Sequence, residues 1–147
     1  LFAREYLRWN EVLIRILNEN DSLTGNELSA KIADSLSDRV QLLKLLSMNN
    51  YDMEANSRPE LLTSFQKAYG ESLRTVRCIL HKFCPDMSSD DIQDFIYVFF
   101  PFMFGIYPYT SATEKQKVAM RKAGVDYVDN TIYEITYACL IRLLGED

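Results

Sequence analysis

Apolar residues recur along this chain every three or four positions, and no useful stretch alternates every second one. Phe2, Tyr6, Trp9, Leu13 and Ile16 share one helical face, which predicts an amphipathic helix over residues 2–19, closed by Asn18-Glu-Asn-Asp21. Thr24 followed by Glu27 is a capping box, in which the hydroxyl accepts from the backbone N–H three residues on and the carboxylate reaches back. Leu28, Ile32 and Leu36 mark a second helix. Asp38-Arg39 predicts a bend, and Val40, Leu43 and Leu46 open a third helix that runs to about Ala55. Ser57-Arg-Pro-Glu60 joins a capping box to a first-turn proline, where the missing N–H is harmless. Leu62, Phe65, Tyr69, Val76, Ile79 and Phe83 then hold the stripe of a long fourth helix until Pro85. Ser88 or Ser89 caps a fifth, with Asp90 and Asp91 favoured at its positive end and Pro108 as its stop. Thr113-Glu-Lys-Gln116 starts a short helix that Gly124 ends, and a last helix is predicted from Val125 to Leu144. The pattern predicts an all-α fold, an antiparallel bundle of six to seven helices, as a single domain over residues 1–147.

Two of these helices carry more apolar surface than one core requires. Phe95 to Tyr109 holds eight of the chain's eighteen aromatic residues and no charge, interrupted by Pro101 and Gly105. It is shorter than the roughly 20 apolar residues of a membrane-spanning helix. The prediction is a helix buried on nearly every side, kinked at Pro101, and suited to wall an apolar cavity. In the last helix Val125, Val128, Ile132, Tyr133, Ile135, Tyr137, Leu140 and Ile141 cover more than one face, leaving one for a partner.

Composition narrows the function. A net charge of −5 and a pI near 4.9 leave no basic face for phosphate, so these residues alone are not expected to bind nucleic acid. Cys78, Cys84 and Cys139 sit inside apolar patterns, as reduced thiols of a cytoplasmic protein do. Cys78, His81 and Cys84 have a spacing that invites zinc. Steps of three turn a helix by about −60°, which sets the two thiols about 120° apart, and no second Cys/His pair completes a tetrahedron. His81 is the only histidine and has no Gly-flanked nucleophile beside it. Asp90, Asp91 and Asp94 are helix-start charges, and the glycines form no phosphate loop. The expectation is a protein that is not an enzyme, with no metal and no cofactor. With no initiator Met and helix-type sequence from Leu1-Phe2-Ala3, a fragment lacking its N-terminal part is expected.

The order of small motifs resembles the C-terminal effector-binding and dimerisation domain of tetracycline-repressor (TetR) family transcriptional regulators. The resemblance is carried by Leu42-Leu-Lys-Leu-Leu46, Glu54-Ala-Asn-Ser57, Phe65-Gln-Lys67, Pro85-Asp-Met-Ser88 and Gly105-Ile-Tyr-Pro108. It spans essentially the whole chain, with the opening Leu1-Phe2 helix matching the one that follows the family's DNA-binding segment. The resemblance implies a one-component sensor, a repressor released when a small hydrophobic effector tilts that first helix. It also implies that operator DNA is met only through an N-terminal helix-turn-helix, which this chain lacks. The rival expectation is a helical homodimerisation module with a filled core and no effector.

Two sites follow. The effector is expected among Trp9, Leu13, Phe65, Tyr69, Phe99 and Met103, an apolar lining with the Tyr69 hydroxyl and the Trp9 indole N–H as sparse polar handles. Its expected class is uncharged or weakly acidic, and hydrophobic or aromatic. A symmetric homodimer is expected through the aromatic and last helices, with Phe95, Tyr97, Phe102, Ile132, Ile135 and Cys139 supplying part of the seam. No membrane association is expected.

Overall fold

A computed structural model describes residues 2–56 and 58–146. They form seven helices, α1 Phe2–Glu19, α2 Gly25–Ser37, α3 Val40–Asn56, α4 Pro59–Phe83, α5 Ser89–Thr110, α6 Glu114–Lys122 and α7 Ile132–Leu143, with no strand among the described residues. Complete capping boxes start α2 at Thr24, α5 at Ser88, α6 at Thr113 and α7 at Thr131. At α2 the Glu27 carboxylate accepts from the Thr24 N–H at 2.9 Å, and this bond holds its pKa below the usual range. Ser57 lies outside the described residues; Arg58 occupies the N-cap of α4 without a side-chain bond, and Pro59 stands in the first turn.

Two boundaries differ from the periodicity. The last helix begins at Ile132, not Val125. Gly124, at φ 73°, turns the chain into the left-handed region, and the Val125 N–H bonds back to the Met120 carbonyl at 2.8 Å, which ends α6. The next start signal is Thr131 with Glu134, so the apolar residues at 125 and 128 belong to a connecting stretch. α5 also runs two residues beyond Pro108. A proline so near the end forfeits one backbone bond, and the Thr110 hydroxyl donates to the last-turn carbonyls of Ile106 and Tyr107 at 3.3 and 3.2 Å.

α1 lies along α4, α2 along α7, and α3 along α5. Phe2 meets Phe65 near the start of both α1 and α4, whereas Lys82 near the end of α4 donates to the Leu17 carbonyl near the end of α1. This pair runs parallel within the bundle, because α2 and α3 intervene and return the chain to its starting end. α2 and α7 are opposed, since Glu146 beyond the end of α7 touches Gly25 at the start of α2. The core is drawn from the predicted faces, with Tyr6, Trp9, Leu13, Leu28, Ile32, Leu36, Ile79 and Phe99 all enclosed.

Candidate functional site

α1 brings three aromatic rings, Phe2, Tyr6 and Trp9, into the core. Its buried residues, Phe2, Glu5, Tyr6, Trp9, Asn10, Leu13 and Ile16, form one broad stripe whose apolar centre is flanked by Glu5 and Asn10. Against it α4 sets Phe65 and Tyr69, one turn apart and stacked at 6.2 Å, and α5 sets Phe100. Tyr6 stands 5.7 Å from Phe65 and 5.8 Å from Tyr69, and Phe100 stands 6.0 Å from Trp9 and 5.6 Å from Tyr69. Most of these pairs are tilted or edge-to-face, the arrangement that the ring quadrupole favours.

Of the six residues expected to line an effector site, Trp9, Phe65 and Tyr69 share this ring cluster. Phe99 touches it through Phe100 at 6.0 Å, and Leu13 and Met103 are fully enclosed in the same core. The Trp9 indole N–H is not a free handle. It donates to Ser35 Oγ at 2.9 Å, and the Ser35 hydroxyl donates in turn to the Ile32 carbonyl at 2.6 Å. Periodicity missed Tyr6, Asn10 and Phe100 as functional candidates. The available signal was Asn10, a polar residue one turn after Tyr6 on the flank of an otherwise apolar face.

The polar accounting of the cluster does not close. Among the described residues Tyr6 Oη and Asn10 Oδ1 are buried without a hydrogen-bond partner, and a buried orphan of this kind costs about 1–3 kcal/mol. Burial pushes the Tyr6 phenol far above its ordinary range, with the neighbouring Tyr69 adding to the shift, so it stays neutral and able to donate. Tyr69 is half-buried and is raised by burial, then by Tyr97. Tyr97, expected on the dimer face, is thus close enough to act on Tyr69 from the rim of the cluster.

The remaining dimer candidates divide. Phe95 is 2% exposed and belongs to the subunit's own core, at 5.6 Å from Phe99, so it offers little to a partner. Tyr97 is 68% exposed, and Phe102, Ile132, Ile135 and Cys139 are half-buried. On α5 the outward residues Tyr97, Val98, Pro101, Gly105, Pro108 and Tyr109 make an uncharged exposed face. α7 is largely apolar, yet of its 12 residues only Thr136 and Leu140 are buried. Tyr133 and Tyr137 stack along it at 5.9 Å.

Open clefts lie elsewhere. One of about 520 Å³ has Phe83, Phe95 and Leu143 among its apolar walls and Asp86, Asp94 and Glu146 among its acids. Burial, and then Glu146, raise the pKa of the Cys84 thiol on its wall. Another, of about 470 Å³, lies between the end of α5 and α6, against Tyr109, Met120 and Tyr127. Neither takes a wall from the six expected effector residues. Among the described residues no group of three or more His, Cys, Asp or Glu side chains comes together to hold a metal ion. No single described helix is long and apolar enough to cross a bilayer.

A family model described as the tetracyclin repressor-like C-terminal domain matches residues 3–135. No curated protein and no solved structure matches the chain.

Proposed function

We propose, for a chain that belongs to the tetracyclin repressor-like C-terminal domain family, the sensing and dimerising role of a ligand-gated transcriptional repressor. One observation carries the sensing half: α1, the first helix of the domain, is gripped by rings from two other helices instead of by aliphatic packing alone. A small apolar molecule that enters among Trp9, Leu13, Phe65, Tyr69, Phe99 and Met103 must displace rings that hold α1. Its differential affinity for two positions of that helix is then the signal. Operator DNA would be read by a helix-turn-helix segment outside these residues, and α1 would transmit to it.

The dimerising half is supported by α5 and α7, which lie against each other: the outward face of α5 is uncharged, and the largely apolar α7 keeps Ile132, Ile135 and Cys139 only half-buried. Two copies joined through these faces would form a four-helix seam, the isologous geometry of a two-fold dimer. A stable seam would bury more than about 1,200 Å² in total.

A second reading, a dimerisation module with a filled core, draws on the full enclosure of Trp9, Leu13, Phe99 and Met103 and on the satisfied Trp9 N–H. Thermal-shift screening of neutral aromatic compounds, with sedimentation at micromolar concentration, separates the two. Ligand-induced stabilisation of a dimer is expected; a dimer indifferent to every compound gives the second reading, and a monomer removes the dimerising role from both. The 147 residues alone are expected to show no specific operator binding.

A further inference from the structure

Two buried polar atoms of α1 are orphaned among the described residues. Tyr6 is fully enclosed, and its Oη finds no donor or acceptor among the described residues. Asn10 follows one helical turn later, 5% exposed, and its Oδ1 is also unpartnered. Buried polar side chains in folded proteins are nearly always paired, and each exception calls for a cause. Phe at one position and Leu at the other would keep the apolar packing without stranding either atom. Two unpaired groups one turn apart on α1, the first of them among rings, suit a molecule that brings its own polar group.

We propose that Tyr6 and Asn10 are the polar recognition pair of the effector site, and that the effector is an uncharged aromatic molecule bearing a hydroxyl group. This rests on the effector-sensing role and names the ligand class for it. One hydroxyl answers both orphans, accepting from the Tyr6 O–H and donating to Asn10 Oδ1. An ether or ketone only accepts, and would leave Asn10 unmet. A hydrocarbon leaves both atoms stranded. A carboxylate has no proton for Asn10 and would carry a charge among rings that offer it no counter-ion. Phe65, Tyr69 and Phe100 supply faces and edges for a flat ligand. Tyr69, half-buried on α4, is the ring with room to swing aside and admit it. Both recognition groups ride on α1, so occupancy acts on that helix directly.

Thermal unfolding of the 147-residue chain and of its Tyr6→Phe and Asn10→Leu variants tests this, with 1-naphthol and naphthalene as probes. Without probe, each variant is expected to melt about 2–4 °C above the parent chain, because a stranded group is gone. The parent is expected to bind 1-naphthol at least about tenfold more tightly than naphthalene, and each variant to bind the two alike. Variants that both melt below the parent would show the two groups to be satisfied and would overturn the proposal. So would discrimination that survives in both variants, or a parent that binds the probes equally or binds neither. A monomer that discriminates the probes upholds this inference against the dimer reading; a dimer that does not discriminate them does the reverse.

Discussion

At Trp9 the indole N–H is held by a hydroxyl that belongs to α2, and that hydroxyl is itself held by the Ile32 carbonyl. Ser35→Ala removes the acceptor and leaves the indole N–H buried and unpaired, so a loss of about 1–3 kcal/mol is expected from urea unfolding, with an unchanged denaturant slope. Phe99 and Met103 are fully enclosed, so enlarging either to Trp overpacks the core by about 1–3 kcal/mol and reports on packing before it reports on a ligand. The titrating residues make a second prediction. Burial raises the pKa of Tyr6, Tyr69, Cys84 and Cys139. A group raised on folding contributes its full stability below its unfolded pKa and loses it as pH climbs, because the unfolded chain releases its proton first. Stability is therefore expected to fall as pH rises through about 8.5 to 10 and beyond, the ordinary thiol and phenol ranges. Urea midpoints across that interval check the direction, and Tyr6→Phe should show a shallower fall.

Helix starts are legible here because a capping box is a local device. Four threonines or serines followed three residues on by Glu, Asp or Gln each begin a helix. The residue pattern marks Thr24 and Thr113 outright and leaves the third between Ser88 and Ser89; Thr131 with Glu134 is hidden because Val125 and Val128 imitate the spacing of the helix that follows. Losing either of two of these caps should have unequal consequences. α7 is short and lies against α2, so Thr131→Ala is expected to cost about 0.5–2 kcal/mol of global stability. α6 buries no residue, so Thr113→Ala should fray it and leave the global urea midpoint in place. Equal shifts in the two variants would mean that α6 is part of the cooperative core. In α5 the residue pattern placed the stop at Pro108, but the hydroxyl of Thr110 serves the carbonyls left open there.

For the whole molecule, the sharpest probe of assembly is Gly105. It is exposed on α5, and a Cβ added there would meet nothing within 4 Å. Gly105→Ala should therefore stabilise the subunit by up to about 1 kcal/mol, since glycine is a poor residue inside a helix. Gly105→Arg keeps the fold but sets a charge in the middle of the uncharged face. Sedimentation at micromolar concentration is expected to show a dimer for the parent and a monomer for Gly105→Arg. An arginine variant that remains dimeric would place the seam away from this face of α5.

The sequence by itself determined an all-α bundle of six to seven helices, most of their ends and the identity of the core faces, because periodicity and capping act within a few residues of one another. It also marked Trp9, Phe65 and Tyr69 as neighbours in waiting, since each lies on the apolar stripe of its helix. Only the tertiary structure decided that α1 and α4 run parallel, because direction depends on where two intervening helices turn. It alone supplied the Trp9 indole with a hydroxyl 26 positions away, removing an expected handle. And it alone left Tyr6 Oη and Asn10 Oδ1 without partners, since whether a buried polar atom is satisfied depends on what distant helices bring to it.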